Sequence, residues 1–412
     1  GQLRLGRRHA EARNELAIRP SGRVPRDFSP NPLHALLLEK RRSGVRVLDA
    51  TVTNPTRVGL PAPDARALAV LSDPRAAAYD PDPRGWITAR EAVAATYGSV
   101  DPDRIVLTSS TSEAYAHLFR LLCGPSDEVL VPRPSYPLFE PLAQLESVTL
   151  CPYRLAYGPR WTLDFDSLEA ALSPRTRAVV VVEPNNPTGS CLTLEERERL
   201  ESLCAERRLA IISDEVFSDA PWPPRREPLP SWCGRRRVLT FVLGGISKLC
   251  GLPQMKLGWI VVAGPDDEAR GALEGLEWIS DLFLSVGAPV QLALHRFLAE
   301  RGPFRHAMAA RLDANLRALA SAARRPSAPF SLLAGDGGWS AVLRFAPPVG
   351  GAPGRNPAEW ALETCDVLLH PGEFYQLPLE EDCVVSLLTE PSVLAEALDR
   401  IGDGWARNPR VD

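Results

Sequence analysis

Hydrophobic residues cluster in short unbroken runs between residues 104 and 263. The runs are RIVLT, DEVLVP, RAVVVV, LAIIS, VLTFVL and LGWIVVA, and helical patterns such as SEAYAHLFRLLCG, PLFEPLAQLE and TLEERERLESLCAERR separate the first of them. Strands that are apolar on both faces and alternate with helices are typical of a parallel sheet covered on both sides. The pattern therefore predicts an α/β fold with a large, mostly parallel sheet.

The pattern changes beyond residue 265. A long helical stretch covers about 265–323 and is interrupted near 287–289, and then WSAVLRF, DVLLH and CVVSLL alternate with helical patterns around 358–364 and 392–401. This change predicts a second, smaller α+β domain. The N-terminal segment, with one helical pattern in NPLHALLLEKRRSG, is too small for its own core. We therefore expect residues 1–60 to form an arm and part of the small domain, 61–300 the large cofactor-binding domain, and 301–412 the rest of the small domain.

Composition narrows the class of protein. The 412 residues are 45% hydrophobic and carry a formal net charge of -4, so nothing favours nucleic acid as a partner. No stretch approaches the ~18 apolar residues of a membrane helix, so we expect no membrane association. Eight cysteines form no C-x-x-C pair. Buried thiols in a reducing, cytoplasmic protein are the expectation.

Polar residues follow five of the predicted strands. Ligands of such sheets bind beyond the carboxyl ends of the strands, so these segments are expected to meet in one crevice. They are SSTS at 109–112, RPSYPLF at 133–139, EPNNPTG at 183–189, DEVF at 214–217 and GGISK at 244–248.

Lys248 stands out within these segments. Of the 47 Lys and Arg residues only three are Lys, which leaves 44 Arg. A partly buried amine can lose its proton and form a Schiff base, whereas a guanidinium cannot. The alternative is an ordinary surface lysine.

Other strand-end residues favour a flat, phosphorylated ligand, although each has a structural alternative. The hydroxyls of SSTS, at a helix start, suit a phosphate or simply cap the helix. Asp214 can pair with a protonated pyridine nitrogen or cap a helix. Tyr136 can stack on a ring or pack in the core, and Asn186 can contact a ligand oxygen or only form a turn. Together with Lys248, these groups fit pyridoxal 5′-phosphate.

A family resemblance supports this interpretation. The segments YDPDPRGWITAREAVAATYG, PSYPLFEP, EPNNPTG, SDEVF and SK…GLPQMKLGW resemble, in order and spacing, the fold type I pyridoxal-phosphate enzymes, and most closely the class I/II aminotransferases. The resemblance spans about residues 45–400. It implies amino group transfer between an amino acid, or a related amine, and a 2-oxo acid. It also implies a homodimer with active sites at the subunit interface.

The resemblance also implies residue roles. Lys248 would form the Schiff base and move the proton at Cα, Asp214 would hold the pyridine N–H, and Asn186 would donate to the ring oxygen. The other implied cofactor contacts are Tyr136 on the ring face, Phe217 beside the ring, Ser110, Thr111, Ser112, Ser247 and Lys256 around the phosphate, and Tyr79 reaching the phosphate of the other subunit.

Three positions of the cofactor site depart from the family pattern. Phe217 stands where a Tyr usually donates to the ring oxygen, and Gly245 stands where a phosphate-binding Ser is common. Lys256 replaces the usual phosphate-binding Arg, and an amine offers a point charge without the bidentate fork.

The substrate side departs further. The C-terminal strand, which usually carries the Arg that binds the substrate carboxylate, reads CVVSLLTEP, and no Arg lies between Arg355 and Arg400. Either another Arg replaces it, with Arg344 in WSAVLRF as the candidate, or the substrate lacks a free α-carboxylate. Thr53 and Asn54 are the other expected substrate contacts.

Two alternatives stay open. The lysine and ring contacts are equally consistent with a pyridoxal-phosphate lyase or decarboxylase, because the scissile Cα bond is set by substrate orientation. A non-catalytic cofactor-binding regulatory module is the alternative of another class. Its usual DNA-binding segment has no counterpart in the sequence, which has no helix-turn-helix pattern at its N-terminus.

Overall fold

The structure is a computed structural model of the chain. It describes residues 21–25, 28–98, 100–224, 230–234, 236–326, 328–347 and 355–407.

The centre of the large domain is an eight-stranded sheet with the order β2-β9-β8-β7-β6-β3-β4-β5. Strands β3, β4, β6, β7 and β8 run parallel, whereas β9 is antiparallel to both β2 and β8, and β5 is antiparallel to β4. The predicted α/β fold with a mostly parallel sheet is confirmed. The strands are β2 Ile105–Thr108, β3 Glu128–Arg133, β4 Thr149–Tyr157, β5 Trp161–Leu163, β6 Thr176–Val182, β7 Ala210–Asp214, β8 Thr240–Gly245 and β9 Gly258–Ala263.

Alternate residues of the central strands enter two separate cores. On β6, Val179 and Val181 pack in one cluster, while Val180 and Val182 pack in the other. A strand buried on both faces must be apolar at every position, which explains the unbroken runs. Strands β4 and β5 were missed by the pattern because β4 is only partly buried and carries Arg and Pro.

Helices cover both faces of this sheet. They are α2 Ala65–Ala69, α3 Ile87–Ala94, α4 Thr111–Leu122, α5 Phe139–Glu146, α6 Phe165–Ala170, α7 Leu194–Arg207, α8 Ile246–Leu249, α9 Asp266–Phe283 and α10 Ala288–Ala299. Helix α7 begins at a capping box, in which Thr193 accepts from the Glu196 N–H and the Glu196 side chain accepts from the Thr193 N–H.

The helical stretch after residue 265 is broken twice, and not once as the pattern predicted. After α9 and α10, a third helix, α11, spans Gly302–Ala323. The second break directly precedes Gly302 and Pro303. A proline fits the first turn of a helix but not its interior, because it has no N–H to donate.

The two ends of the chain form a second unit. Its sheet has the order β10-β11-β14-β13, all antiparallel, and β1 pairs in parallel with β12 in a separate ribbon. One apolar cluster joins Leu33 and Leu48 from the N-terminal segment to Trp360 and Leu398 from the C-terminal one. The boundaries at residues 60 and 300 stay a prediction. The elements are α1 Pro32–Arg42, β1 Leu48–Asp49, β10 Phe330–Leu332, β11 Ser340–Phe345, α12 Pro357–Cys365, β12 Val367–Leu368, β13 His370–Pro371, β14 Asp382–Ser386 and α13 Pro391–Ala406.

Trp222 fixes the second unit to the first near the crevice. Its indole Nε1 donates to the Gly338 carbonyl at 2.9 Å. A Cβ at Gly189, whose φ is +70°, would lie 3.2 Å from this indole, and a Cβ at Gly335 would lie 2.7 Å from it. The two glycines therefore let the EPNNPTG turn and the loop before β11 close on the same ring. This contact holds Trp339, the residue before β11, over the strand ends.

Two further sequence expectations concern membranes and thiols. Within the described ranges, no helix is both long and apolar enough to cross a membrane. None of the eight cysteines, all of which lie in the described part of the chain, is in a disulfide bond. The described residues contain no group of His, Cys, Asp and Glu side chains that could hold a metal ion.

Candidate active site

Lys248 lies on α8, directly after β8 ends at the crevice. Its Nζ is 5.2 Å from the ring centroid of Trp339 and 5.8 Å from that of Phe217, and the two rings meet edge to face at 5.4 Å. Burial lowers the pKa of Lys248, and the charge of Asp214 partly opposes this shift. The amine is therefore easier to deprotonate than a surface lysine, as a nucleophile or base requires.

Asp214 is the last residue of β7, the strand beside β8. Its Oδ2 accepts a hydrogen bond from the Tyr115 hydroxyl at 3.1 Å, and its Oδ1 accepts one from the Val216 N–H at 3.2 Å. Burial raises the pKa of Asp214 to about 6, while these hydrogen bonds and the charge of Lys248 act in the opposite direction. Near neutral pH most molecules therefore hold a carboxylate that can accept a further N–H.

Tyr115 was not among the residues predicted from the sequence. It lies on α4, one turn after Thr111, and its side chain is buried against the sheet. The only available signal was a polar-tipped aromatic on the helix that begins with the SSTS segment. That signal does not distinguish a ligand-site residue from a core residue.

The N-terminus of α4 forms the anion-binding end of the crevice. Ser110 caps the helix by accepting from the Glu113 N–H at 3.1 Å. The N–H groups of Thr111 and Ser112 are in the first turn, where no helical acceptor is available to them. A Cβ at Gly258 would lie 3.1 Å from the Ser110 carbonyl carbon, so β9 packs closely beneath this turn. Ser247, half-buried at the start of α8, follows the neighbouring strand β8. A phosphate suits this arrangement.

Asn186 and Tyr136 lie after β6 and β3. The Asn186 Oδ1 is buried and has no hydrogen-bond partner among the described residues. Buried polar atoms normally have partners, so this oxygen can accept a hydrogen bond from a ligand, whereas donation to a ring oxygen would use the Asn186 Nδ2. Tyr136 is 39% exposed, and desolvation followed by the charge of Asp214 raises its pKa. Tyr136 therefore lies within electrostatic range of Asp214.

Four other predicted site residues are exposed in the single chain. Tyr79 is 84% exposed, and Lys256 is exposed in a left-handed conformation with φ +55°. Thr53 and Asn54 are also exposed, and the Asn54 Oδ1 accepts from the Thr56 N–H at 3.0 Å. No hydrogen bond described by the structure joins these side chains to Lys248.

Arg344 has a structural partner. Its Nε and Nη2 donate to the two carboxylate oxygens of Asp382 at 2.8 and 3.0 Å. It also lies five residues further along the chain than Trp339, which corresponds to about 16 Å of strand. The geometry therefore favours a structural role over the expected contact with the substrate carboxylate.

The C-terminal strand is apolar where it faces the large domain. Val384 on β14 lies opposite Val342 on β11, and both pack in one cluster with Trp161 and Tyr375. The Tyr375 carbonyl accepts from the Ser135 N–H at 3.0 Å, next to Tyr136. This apolar cluster therefore adjoins the segment that carries Tyr136.

Comparison with known proteins identifies the family. The sequence model "Aminotransferase class I and II" matches residues 53–401, and the chain belongs to this family. The chain is 30% identical over 265 residues to "Glutamate-pyruvate aminotransferase AlaA" of Escherichia coli (strain K12), a match that covers 62% of this chain and 64% of that protein. It is 29% identical over 271 residues to "Alanine aminotransferase" of Mycobacterium tuberculosis (strain ATCC 25618 / H37Rv), covering 64% of this chain and 62% of that one.

Solved structures agree with the fold. An aminotransferase from Escherichia coli superposes with a TM-score of 0.80 at 23% identity, over 96% of this chain and all of the other. The alanine aminotransferase from Pyrococcus furiosus superposes with a TM-score of 0.82 at 21% identity, over 94% of this chain and all of the other. The fold type I resemblance is thereby confirmed.

Class I and II aminotransferases of this fold use pyridoxal 5′-phosphate. The residues present fit that cofactor. Asp214 offers a buried acceptor for the pyridine N–H, and the start of α4 offers N–H groups for the phosphate. The half-buried Asn186 has an Oδ1 without a partner in the described part of the chain, and Lys248 supplies the amine.

Proposed function

We propose that this protein is a pyridoxal-phosphate-dependent aminotransferase that moves an amino group between an amino acid, or a related amine, and a 2-oxo acid. The observation that carries the proposal is the half-buried Lys248 amine beside the Trp339 and Phe217 rings, where burial lowers its pKa and the charge of the Asp214 carboxylate acts on it. The family match and the relatives support it, and the names of those relatives refer to glutamate, pyruvate and alanine.

The cofactor, when bound, supplies a carbonyl that exchanges amines and a ring that takes up the electron pair released at Cα. Lys248 Nζ takes the proton from the substrate Cα, for which its lowered pKa prepares it. Asp214 keeps the proton on the ring nitrogen through its charged carboxylate. Asn186 would donate to the ring oxygen, and Tyr136 would cover one ring face. The residues that would hold the phosphate are Ser110, Thr111, Ser112, Ser247 and Lys256.

Half-reaction spectroscopy tests this function. Single amines are added to the purified holoenzyme without a 2-oxo acid, and conversion of the cofactor to its amine form is followed as loss of the visible band. Release of carbon dioxide, or of ammonia with no amine form of the cofactor, would favour a decarboxylase or a lyase. Absence of any spectral change with a broad panel of amines would favour a binding module.

Variants test the assignment of the lysine. Lys248→Ala should abolish turnover and leave the fold intact. Borohydride reduction of the wild-type holoenzyme should attach the cofactor to Lys248. Lys40→Ala is the matched control, because Lys40 forms an ion pair with Asp366 at 2.6 Å on the small domain. Attachment to Lys40 or Lys256 would contradict the assignment.

We also propose that the protein is a homodimer and that it is cytoplasmic. For the dimer, the relevant region lies around α9 and Tyr79: Glu277 on α9 forms an ion pair with Arg84 at 3.2 Å, which places the C-terminal half of α9 beside the segment after Tyr79. The absence of disulfides from the eight cysteines supports a reducing compartment. Large apolar side chains that are exposed in the single chain support a subunit interface; those on or near α3 and α9 are Tyr79, Ile87, Trp278, Leu282, Phe283 and Leu284.

A further inference from the structure

We propose that Tyr115 is a positioning residue that fixes the Asp214 carboxylate for the ring nitrogen of the cofactor. The inference rests on the proposed function, since it concerns the same site. It assigns a residue for which the sequence comparison gave no role, and it starts from one contact, the 3.1 Å hydrogen bond from the Tyr115 hydroxyl to Asp214 Oδ2.

The Tyr115 ring is held on two sides. It packs edge to face on Phe139 of α5, with centroids 5.2 Å apart and an interplanar angle of 74°, and it lies 6.1 Å from Phe119 of its own helix. The side chain is buried. A ring fixed in this way presents its hydroxyl at one place, so the hydrogen bond sets the position of the carboxylate and does not merely follow it.

Asp214 is held at both oxygens. Tyr115 donates to Oδ2 and the Val216 N–H donates to Oδ1, so the plane of the carboxylate cannot rotate without breaking one of these bonds. Each carboxylate oxygen can accept a further hydrogen bond. The free lone pairs of the Asp214 carboxylate therefore point in a fixed direction. The cofactor requires this, because its ring nitrogen has a fixed position once its phosphate is bound.

Helix α4 connects the two ends of the cofactor site. Thr111 begins the helix at the proposed phosphate site, and Tyr115 follows four residues later. Four residues correspond to about 6 Å of rise along the helix. One rigid element therefore provides the phosphate contacts and the donor to Asp214, and it fixes the spacing between them.

The groups around Asp214 make its pKa sensitive to the Tyr115 hydroxyl. The titratable side chains that act on Asp214 or are acted on by it are Tyr97 after α3, Tyr115 on α4, Tyr136 after β3 and Lys248 on α8. Burial raises the pKa of all three tyrosines, so they stay neutral. A hydrogen bond donated to the charged carboxylate favours ionisation, so removing the Tyr115 hydroxyl should raise the pKa of Asp214 further.

Tyr115→Phe removes the hydroxyl and keeps the ring packing. We expect the dissociation constant of pyridoxal phosphate to rise about tenfold near pH 7, the size expected for one hydrogen bond to a charged group. Loss of cofactor affinity on acidification should also begin at a higher pH than in the wild type, because protonation of Asp214 removes the negative charge that pairs with the protonated ring nitrogen.

The experiment measures cofactor affinity of the apo-protein between pH 5.5 and 8.5 by tryptophan fluorescence, so it does not depend on turnover. Tyr153→Phe is the matched control, since the buried Tyr153 hydroxyl donates to the Val180 carbonyl at 2.8 Å and does not contact Asp214. The proposal expects a shifted profile in Tyr115→Phe alone. A profile that overlays the wild type, or an equal shift in Tyr153→Phe, would overturn it.

A double-mutant cycle separates positioning from general stability. In the Asp214→Asn background, Tyr115→Phe should cause little further loss of affinity, because the charged acceptor is already absent. Equal losses in both backgrounds would overturn the proposal. The proposed function fails separately: if the wild type binds the cofactor but converts no amine, the aminotransferase assignment is wrong while the binding profiles still decide the role of Tyr115.

Discussion

The guanidinium of Arg344 donates two hydrogen bonds to the Asp382 carboxylate, at 2.8 and 3.0 Å, across the paired strands β11 and β14. Asp382 has no exposed surface, whereas the Arg344 side chain is 27% exposed. Burying a carboxylate without a cation beside it costs several kcal/mol, on the order of 3–5. The Arg344 guanidinium therefore compensates the Asp382 carboxylate within the small sheet. Because both of its hydrogen bonds are used in this way, it has little freedom to move toward a substrate.

Arg344→Ala should lower the free energy of unfolding by about 3 kcal/mol, because Asp382 would be left buried without its cation. Urea unfolding of the apo-protein measures this loss. Replacing both residues by Leu should recover most of it, since the uncompensated charge is then gone. An Arg344→Ala variant as stable as the wild type would show that another group neutralises Asp382.

Turnover of aspartate, alanine and glutamate should be weak. A carboxylate entering a partly buried site needs a cation or several donors, and the strand that usually supplies the Arg offers Val384, Val385, Ser386 and Leu387. Half-reaction rates across a panel of amines, with and without an α-carboxylate, measure the preference. Fast reaction with any of these three amino acids, retained in the double Leu variant of Arg344 and Asp382, would show that other groups bind the carboxylate.

Phe217→Tyr should move the pH midpoint of the visible cofactor band to lower pH. A hydroxyl at this position can donate to the ring oxygen and stabilise its negative charge, which eases loss of the neighbouring proton. In the wild type the long-wavelength band should therefore persist at neutral and mildly alkaline pH. Spectrophotometric titration of both proteins tests this. If the two titrations coincide, another group already donates to the ring oxygen, and Tyr79 is the first candidate for that donor.

Glu215 should make the apo-protein less stable as the pH rises. Its Oε1 accepts from the Trp232 N–H at 2.8 Å and from Ser213 Oγ at 3.1 Å, and burial raises the pKa of Glu215 to about 7 from an ordinary value of 4.5. The folded state thus binds the proton more tightly than the unfolded chain. The stability that the bound proton contributes to the folded state is fully present below pH 4.5 and is lost as the pH rises through 7.

Glu215→Gln, which cannot ionise, should remove this part of the pH dependence. At pH 8 the free energy of unfolding of the variant should exceed that of the wild type by about 3 kcal/mol, and at pH 4.5 the two values should be similar. Thermal melts of the two apo-proteins across this range measure the difference. A gap that does not change with pH would mean that Glu215 does not titrate in this window.

Trp278→Glu should weaken the proposed dimer. The residue is 68% exposed on α9, one turn before the exposed Leu282, and a charge there would oppose burial of this part of the helix. Light scattering after size exclusion should show half the mass, and cofactor affinity should fall if Tyr79 reaches the phosphate of the partner subunit. Leu194→Glu is the control, because Leu194 is 73% exposed on α7, outside this group. An unchanged mass for Trp278→Glu would place the interface elsewhere.

Some of the candidate site follows from sequence because its signals are local. Lys248 is recognisable as one of three amines in a chain rich in arginine, and it ends an apolar run. Asp214 also follows an apolar run directly, and Asn186 lies four residues after another. The carboxyl ends of parallel strands meet at one edge of a sheet, so the pattern alone predicts that these residues come together.

Other features depend on contacts between distant parts of the chain, which only packing decides. Tyr115 and Asp214 are 99 residues apart, and Arg344 and Asp382 are 38 apart. An aromatic on a helix, or an arginine on a strand, has the same local pattern whether it faces a ligand, the core or an opposite charge. The sequence by itself determined the buried central strands, their polar ends and the amine, but not the partly buried β4, because periodicity and residue chemistry are local properties. Tertiary structure decided which side chain orients Asp214 and which partner occupies Arg344, because burial and long-range proximity exist only in the folded chain.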